Sequence, residues 1–172
     1  MKKMLTKQIL SFFYAIRGLL SVFVTEAHMR FHLVAAVYVI YFFEKFYIDT
    51  MGSAYITVLI LTISCVMVSE VVNTSIERLC DAVTKDYNED IKFSKDVAAG
   101  AVLLFSIAAI GIACYTFLDF DIILGTIIPY FISNITALVI LIISAIISVL
   151  FVAVSPKRYL CFFKKIFTKK TK

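Results

Sequence analysis

The chain has 172 residues, of which 62 % are hydrophobic and 17 % are charged, and its formal net charge at pH 7 is +5. This composition is far more apolar than that of soluble domains, so it excludes a soluble globular fold and indicates an integral membrane protein. The basic excess is explained by membrane topology and by attraction to anionic lipid head groups, and no nucleic-acid partner is expected. The four cysteines lack CxxC spacing, so neither a disulfide framework nor a zinc site is indicated.

The first predicted element is a helix at residues 5–25 that lies in the membrane surface. Its apolar residues recur at the spacing of one helix face, whereas Lys7, Gln8 and Arg17 lie elsewhere on the helix. The alternative is that this stretch is simply the solvated N-terminal end of the first span.

The uncharged runs that follow predict an all-α integral membrane fold with four spans. We expect the spans at 28–48, 53–83, 95–118 and about 129–154. Residues 1–118 then form the surface helix and a three-helix core, and residues 119–172 add a fourth span and a basic tail. A hairpin within the last run would export the basic tail, so one helix is favoured and both termini are cytoplasmic. The tail is expected to lie on the inner leaflet as an amphipathic segment.

A polar stripe is predicted on the part of the second span that extends past the membrane. Glu70, Asn73, Glu77 and Asp81 fall within about 80° of one another at 100° per residue, so one helix face carries three acids and an amide. Like charges at this spacing destabilise a helix, and more so beside a membrane. We therefore expect a cation on this stripe, most economically a divalent metal.

Charged residues also mark the starts of the first and third spans. Glu26 and Arg30 are one turn apart, and taken alone they are most simply interpreted as an ion pair. Because the stripe must lie at the same membrane depth, Glu26 would also complete an oxygen-rich site for a hard cation. Ser94 is the expected N-cap of the third span, which places Lys95 in its first turn. The helix dipole disfavours a lysine there, so Lys95 calls for an anionic partner, with snorkelling as the alternative.

A family resemblance rests on four segments, which are SFFYAIRGL (11–19), TEAHMRFHL (25–33), SEVVNTSIERLCD (69–81) and SKDVAAGAV (94–102). In order and spacing they resemble the prokaryotic diacylglycerol kinase and undecaprenol kinase family, over residues 9–118. Members are small trimeric enzymes of the bacterial inner membrane with a surface helix and three spans. The resemblance implies a homotrimer that transfers the γ-phosphoryl group of ATP, with Mg²⁺, to a membrane lipid alcohol. Undecaprenol is favoured and diacylglycerol is next.

The resemblance also implies a role for each matched polar residue. Glu70 is the expected general base on the lipid hydroxyl, and Glu26 and Glu77 are expected to hold Mg²⁺. The residues expected to bind the nucleotide are Arg17, Glu26, Asn73, Glu77, Lys95 and Asp96, with Arg30 and Asp81 in supporting roles. Such a set suits phosphoryl transfer, because that reaction requires positioning, neutralisation of phosphate charge and a base.

Two features depart from the family pattern. His28 stands where relatives of the Gram-positive type usually carry Asn, and the three-helix members lack the fourth span. Our hypothesis is that this span packs on the outside of the trimer as an additional anchor. Two other functions stay open, namely a channel or transporter subunit that binds a cation at the stripe, and an inactive relative that acts as a scaffold.

Overall fold

A computed structural model describes the backbone of residues 2–154 and the side chains of residues 6–154, so the expected surface position of the tail falls outside the described residues. The described residues contain helices and no strand, which confirms the all-α membrane fold. The helices are α1 (Lys2–Thr25), α2 (Ala27–Phe46), α3 (Ile48–Met51), α4 (Ser53–Val83), α5 (Glu89–Phe117), α6 (Phe120–Ile122), α7 (Ile128–Ser133) and α8 (Ile135–Ala153), with a π-helical segment at Ile123–Ile127.

Four stretches within the described range are long and apolar enough to cross a membrane, namely Thr6–Thr25, Ser53–Val83, Glu89–Phe117 and Ile135–Ala153. The first is α1, for which the sequence predicts a surface position. That position stays a prediction: residues 6–20 are exposed on every side, and α1 enters the bundle only near buried Val22. The helix α2 is too polar at its ends to qualify by composition, yet it is packed between α4 and α8.

The helix α4 is the longest in the described chain, and its bounds coincide with the expected span at 53–83. Its 31 residues measure about 46 Å at 1.5 Å per residue. A bilayer core is about 30 Å thick, so roughly the last third of α4 reaches beyond the hydrocarbon region. Asn73, Glu77 and Asp81 of the polar stripe lie on that third, and Glu70 lies just before it.

The helix α5 begins at Glu89, six residues before the expected start at 95. Asn88 caps it by accepting a hydrogen bond from the backbone N–H of Ile91 at 3.0 Å, and an acidic first turn follows. An amide cap followed by acids is a stronger start signal than Ser94, which here lies inside the helix. The predicted cap was therefore wrong, and Lys95 does not lie in the first turn.

The expected fourth span at 129–154 is divided in the structure into α7 and α8. Asn134 separates them, and its side chain accepts a hydrogen bond from the backbone N–H of Ala137. The segment before this break covers the end of the bundle opposite the polar stripe, where Phe131 packs against the rings of Phe42 and Phe46. The segment from α6 to α7 thus leads the chain from the end of α5 to the side of α2.

The helix α8 runs antiparallel to α2 and packs along it. Tyr38 of α2 and Ser144 of α8 share a hydrogen bond of 2.8 Å near the middle of the pair. At the far end, Arg30 donates hydrogen bonds to the backbone carbonyls of Phe151 and Val152. The end of α8 therefore lies level with the start of α2 and the end of α1.

Candidate functional site

The polar residues of the site come from three places that meet at one end of the bundle. Glu26 is the N-cap of α2, Glu70, Asn73 and Glu77 lie on α4, and Lys95 lies on α5. The helices α4 and α5 pack together along most of their length, and α2 packs on α4. The acids of the predicted stripe therefore face groups from two neighbouring helices.

Glu26 is held at the break between α1 and α2. Its Oε1 accepts hydrogen bonds from the Thr25 hydroxyl at 2.7 Å and from Arg78 Nη2 at 3.1 Å. Burial raises the pKa of this carboxyl, but the hydrogen bonds from Thr25 and Arg78 and the charges of Arg78 and Arg30 outweigh burial and lower the pKa overall. Glu26 is therefore ionised at neutral pH, in the state in which a carboxylate binds a metal.

The expected ion pair between Glu26 and Arg30 does not form. Within the described residues the salt-bridge partner of Glu26 is Arg78 of α4, whereas Arg30 donates to the backbone carbonyl of Glu26 at 3.2 Å. The sequence does not predict this role of Arg78, because a contact between separate helices leaves no periodic signal in either one.

The middle of the stripe is buried. The exposed fractions of Glu70 and Asn73 are 4 % and 8 %, and Asn73 Nδ2 donates to Glu77 Oε1 at 3.0 Å. The Oδ1 atom of Asn73 is buried and has no hydrogen-bond partner among the described residues. Such an oxygen is costly to leave unpaired, so it is available to accept a hydrogen bond or to bind a cation.

Titratable groups of α2 and α4 surround Glu70. His28, Glu77 and Glu26 all lie close enough to act electrostatically on its carboxylate. His28, which occupies the position where relatives carry Asn, is thus near the residue expected to act as the base. Carboxylates of α2 and α4 thus lie within electrostatic range of one another.

Lys95 has an anionic partner, although it does not lie in the first turn of α5. Its Nζ forms an ion pair with Asp81, and the charge of Glu77 also acts on it. Both side chains are partly or largely exposed, so the contact is open to exchange with a ligand.

Two expected nucleotide-binding residues are not joined to this set. Arg17 lies on the exposed part of α1, and Asp96 lies on an exposed position of α5. Neither side chain has a hydrogen bond or an ion pair to another described residue. Both stay predictions that depend on a bound nucleotide.

The donor set suits Mg²⁺ held together with a nucleotide. In the described part of the chain, no group of three or more His, Cys, Asp or Glu side chains is arranged to hold a metal. Nucleotide-bound Mg²⁺ needs only one or two protein carboxylates, because water and phosphate oxygens complete its octahedron. Glu26 and Glu77 are two such carboxylates from different helices, and the unpaired Asn73 oxygen lies beside Glu77.

Comparison with known proteins gives the same assignment as the four segments. The family model of prokaryotic diacylglycerol kinase matches residues 13–117. A diacylglycerol kinase of Synechocystis sp. is 39 % identical over 103 residues, which are 59 % of this chain and 57 % of that protein. An undecaprenol kinase of Bacillus subtilis is 32 % identical over 111 residues, which are 63 % of this chain and 85 % of that protein.

The match is thus to less than two thirds of the length of the Synechocystis protein, and no solved structure matches. The matched region contains every expected site residue from Arg17 to Asp96, and it ends with α5. The chain belongs to the prokaryotic diacylglycerol kinase family.

Proposed function

We propose that this protein is a lipid kinase, which uses ATP and Mg²⁺ to phosphorylate the hydroxyl group of a membrane lipid alcohol. Family membership supports the reaction class. The observation that carries the proposal is a buried carboxylate, Glu70, at the membrane end of a stripe where acids of two helices meet. A lipid hydroxyl lies at this depth, and a nucleotide reaches it from the cytoplasm.

In the proposed mechanism, Glu70 accepts the proton of the lipid hydroxyl while that oxygen bonds to the γ-phosphorus. The bond from the γ-phosphorus to the β–γ bridging oxygen breaks, and ADP leaves. Asn73 orients Glu77 through their hydrogen bond. Lys95 exchanges Asp81 for a phosphate oxygen.

Glu26 and Glu77 would hold Mg²⁺, which when bound neutralises charge on the phosphates. Arg17 and Asp96 are proposed to contact the nucleotide once it is bound. Arg30 and Asp81 act as supports, Arg30 through the Glu26 turn and Asp81 through Lys95.

We propose undecaprenol as the preferred substrate, with diacylglycerol next. The MRFHL segment (residues 29–33) favours the undecaprenol-type branch. The test is to offer the purified full chain undecaprenol and diacylglycerol side by side, each with ATP or GTP and with or without Mg²⁺. Transfer of labelled γ-phosphate to a lipid only with Mg²⁺ is expected. Absence of transfer to either lipid would contradict the proposal.

We also propose that the protein is a homotrimer in the bacterial inner membrane, with both termini in the cytoplasm. The helices α4, α5 and α8 expose many large apolar side chains, which require lipid or a second copy of the chain as cover. Arg30 bonds to carbonyls at the ends of both α1 and α8, so these two ends lie at one membrane level.

This topology makes a prediction for Cys161 in a variant whose other three cysteines, Cys65, Cys80 and Cys114, are replaced by Ser. A membrane-impermeant maleimide added to intact spheroplasts should leave Cys161 unlabelled, and permeabilisation should allow labelling. The matched control carries Lys45→Cys as its only cysteine and should be labelled in intact spheroplasts. Labelling of Cys161 from outside would overturn the proposed orientation.

A further inference from the structure

The helices α7 and α8 lie beyond the family-matched residues 13–117. Together they contact α2 at three points along its length. At the outer end, Tyr130 and Phe131 of the preceding α7 pack on Phe46. In the middle, Tyr38 bonds to Ser144. At the inner end, Arg30 bonds to the last turn of α8.

The inner contact centres on a buried guanidinium. Arg30 is 2 % exposed, and its guanidinium donates five hydrogen bonds, all to backbone carbonyls. Nε donates to Phe151 at 3.0 Å and Nη2 donates to Val152 at 3.1 Å. Nη1 is shared among the carbonyls of Phe23, Val24 and Glu26 at 3.2–3.3 Å.

Four of these acceptors belong to the last turns of α1 and α8, and the fifth, the Glu26 carbonyl, belongs to the N-cap of α2. The last carbonyls of a helix have no partner within it and carry the negative end of its dipole, so a cation is favoured there. Arg30 caps α1 and α8 together, which a lysine with its single point charge does not do. The buried guanidinium in turn depends on α8 for two of its acceptors.

The same guanidinium holds the turn that presents Glu26. Its bonds to Phe23, Val24 and Glu26 fix the backbone where α1 ends and α2 begins. The Glu26 carboxylate projects from this turn toward Arg78 of α4. A continuous set of contacts therefore runs from α8 through Arg30 to the carboxylate at the site.

We propose that α8 is a functional part of the enzyme and not only an anchor, because through Arg30 it fixes the position of Glu26 for the metal and nucleotide. Arg30 is thus a positioning residue. This inference rests on the proposed kinase function. It predicts that a change in the middle of α8, far from the phosphates, weakens nucleotide binding.

The test displaces α8 without touching the site. In the full chain, Ser144→Phe puts a ring where Ser144 meets Tyr38, while the matched control Ile146→Phe adds the same ring on a position that is 57 % exposed. The measurement is binding of the non-hydrolysable analogue AMP-PNP with Mg²⁺. We expect Ser144→Phe and Arg30→Gln to weaken binding by about tenfold or more, as for other changes that misplace a ligand, and Ile146→Phe to have no effect.

Three further measurements distinguish mispositioning of Glu26 from a general loss of stability. Ser144→Phe should raise the KM for MgATP with little change in kcat at saturating nucleotide. In a Glu26→Gln background, Ser144→Phe should have almost no further effect on binding, because its effect passes through Glu26. Arg30→Lys should restore only part of the binding that Arg30→Gln loses.

The outcomes are distinct. Unchanged binding in Ser144→Phe, or equal loss in Ser144→Phe and Ile146→Phe, would overturn the inference and leave the proposed kinase function intact. A wild-type chain that neither binds AMP-PNP nor phosphorylates a lipid would overturn the proposed function and the inference with it. If Arg30→Gln fails to fold, the Ser144→Phe series decides the question alone.

Discussion

Replacement of Glu70 by Gln is expected to lower kcat for lipid phosphorylation by about 10²–10⁴-fold, the contribution typical of a general base. Gln has nearly the same volume, so the buried position stays filled. It has no carboxylate to take the hydroxyl proton. Binding of AMP-PNP with Mg²⁺ should be retained, because Glu26 and Glu77 are unchanged.

The matched control is Glu44→Gln, which makes the same chemical change on an exposed residue near the other end of α2. It should leave kcat unchanged. Initial rates with labelled ATP and saturating lipid measure both variants, and melting curves check that each one folds. Normal turnover by Glu70→Gln would show that Glu70 is not the base, while lost nucleotide binding would move its role to the metal or phosphates.

The sequence predicts the polar face of α4 because the residues of that face lie on one helix. Glu70, Asn73 and Glu77 are related by the helical period alone, and the hydrogen bond between Asn73 and Glu77 is an i, i+4 contact. The bounds of α4 also follow from an uninterrupted apolar run and the polar residues after it. Local periodicity is sufficient for both.

Contacts between helices were harder to predict. The sequence offered Arg30 as the partner of Glu26 because the two are one turn apart, but Arg78, which is 52 residues away, takes that place. Arg30 instead binds backbone carbonyls 121 and 122 residues away. Every residue carries a backbone carbonyl, so such an acceptor gives no signal in the sequence.

Helix ends were also misplaced where two start signals compete. Asn88, six residues before Ser94, and the acidic turn after it start α5. Asn134 ends α7 and caps α8. In both cases a side-chain amide accepts a backbone N–H, and this local hydrogen bond decides where the helix starts. The apolar run at residues 129–154 contains no charged residue, so hydropathy gives no sign of the break at Asn134.

Replacement of Glu77 by Gln is expected to raise the Mg²⁺ concentration needed for half-maximal activity by about 100-fold or more. Loss of a residue that only hydrogen-bonds to a metal ligand typically costs about 10–100-fold in metal affinity. Glu77 is proposed as a direct ligand, so we expect its loss to cost at least as much. The variant should fold, because the carbonyl oxygen of Gln still accepts the hydrogen bond from Asn73 Nδ2. Glu26→Gln should shift the Mg²⁺ dependence in the same direction.

Titration of initial rate against free Mg²⁺ at fixed ATP measures this effect. The matched control is Glu89→Gln at the exposed start of α5, which should follow the wild-type curve. Recovery of most activity at high Mg²⁺ is expected for Glu77→Gln and not for Glu70→Gln, because added metal replaces a lost ligand but not a lost base. An unshifted Mg²⁺ curve for both Glu77→Gln and Glu26→Gln would show that the metal is held elsewhere.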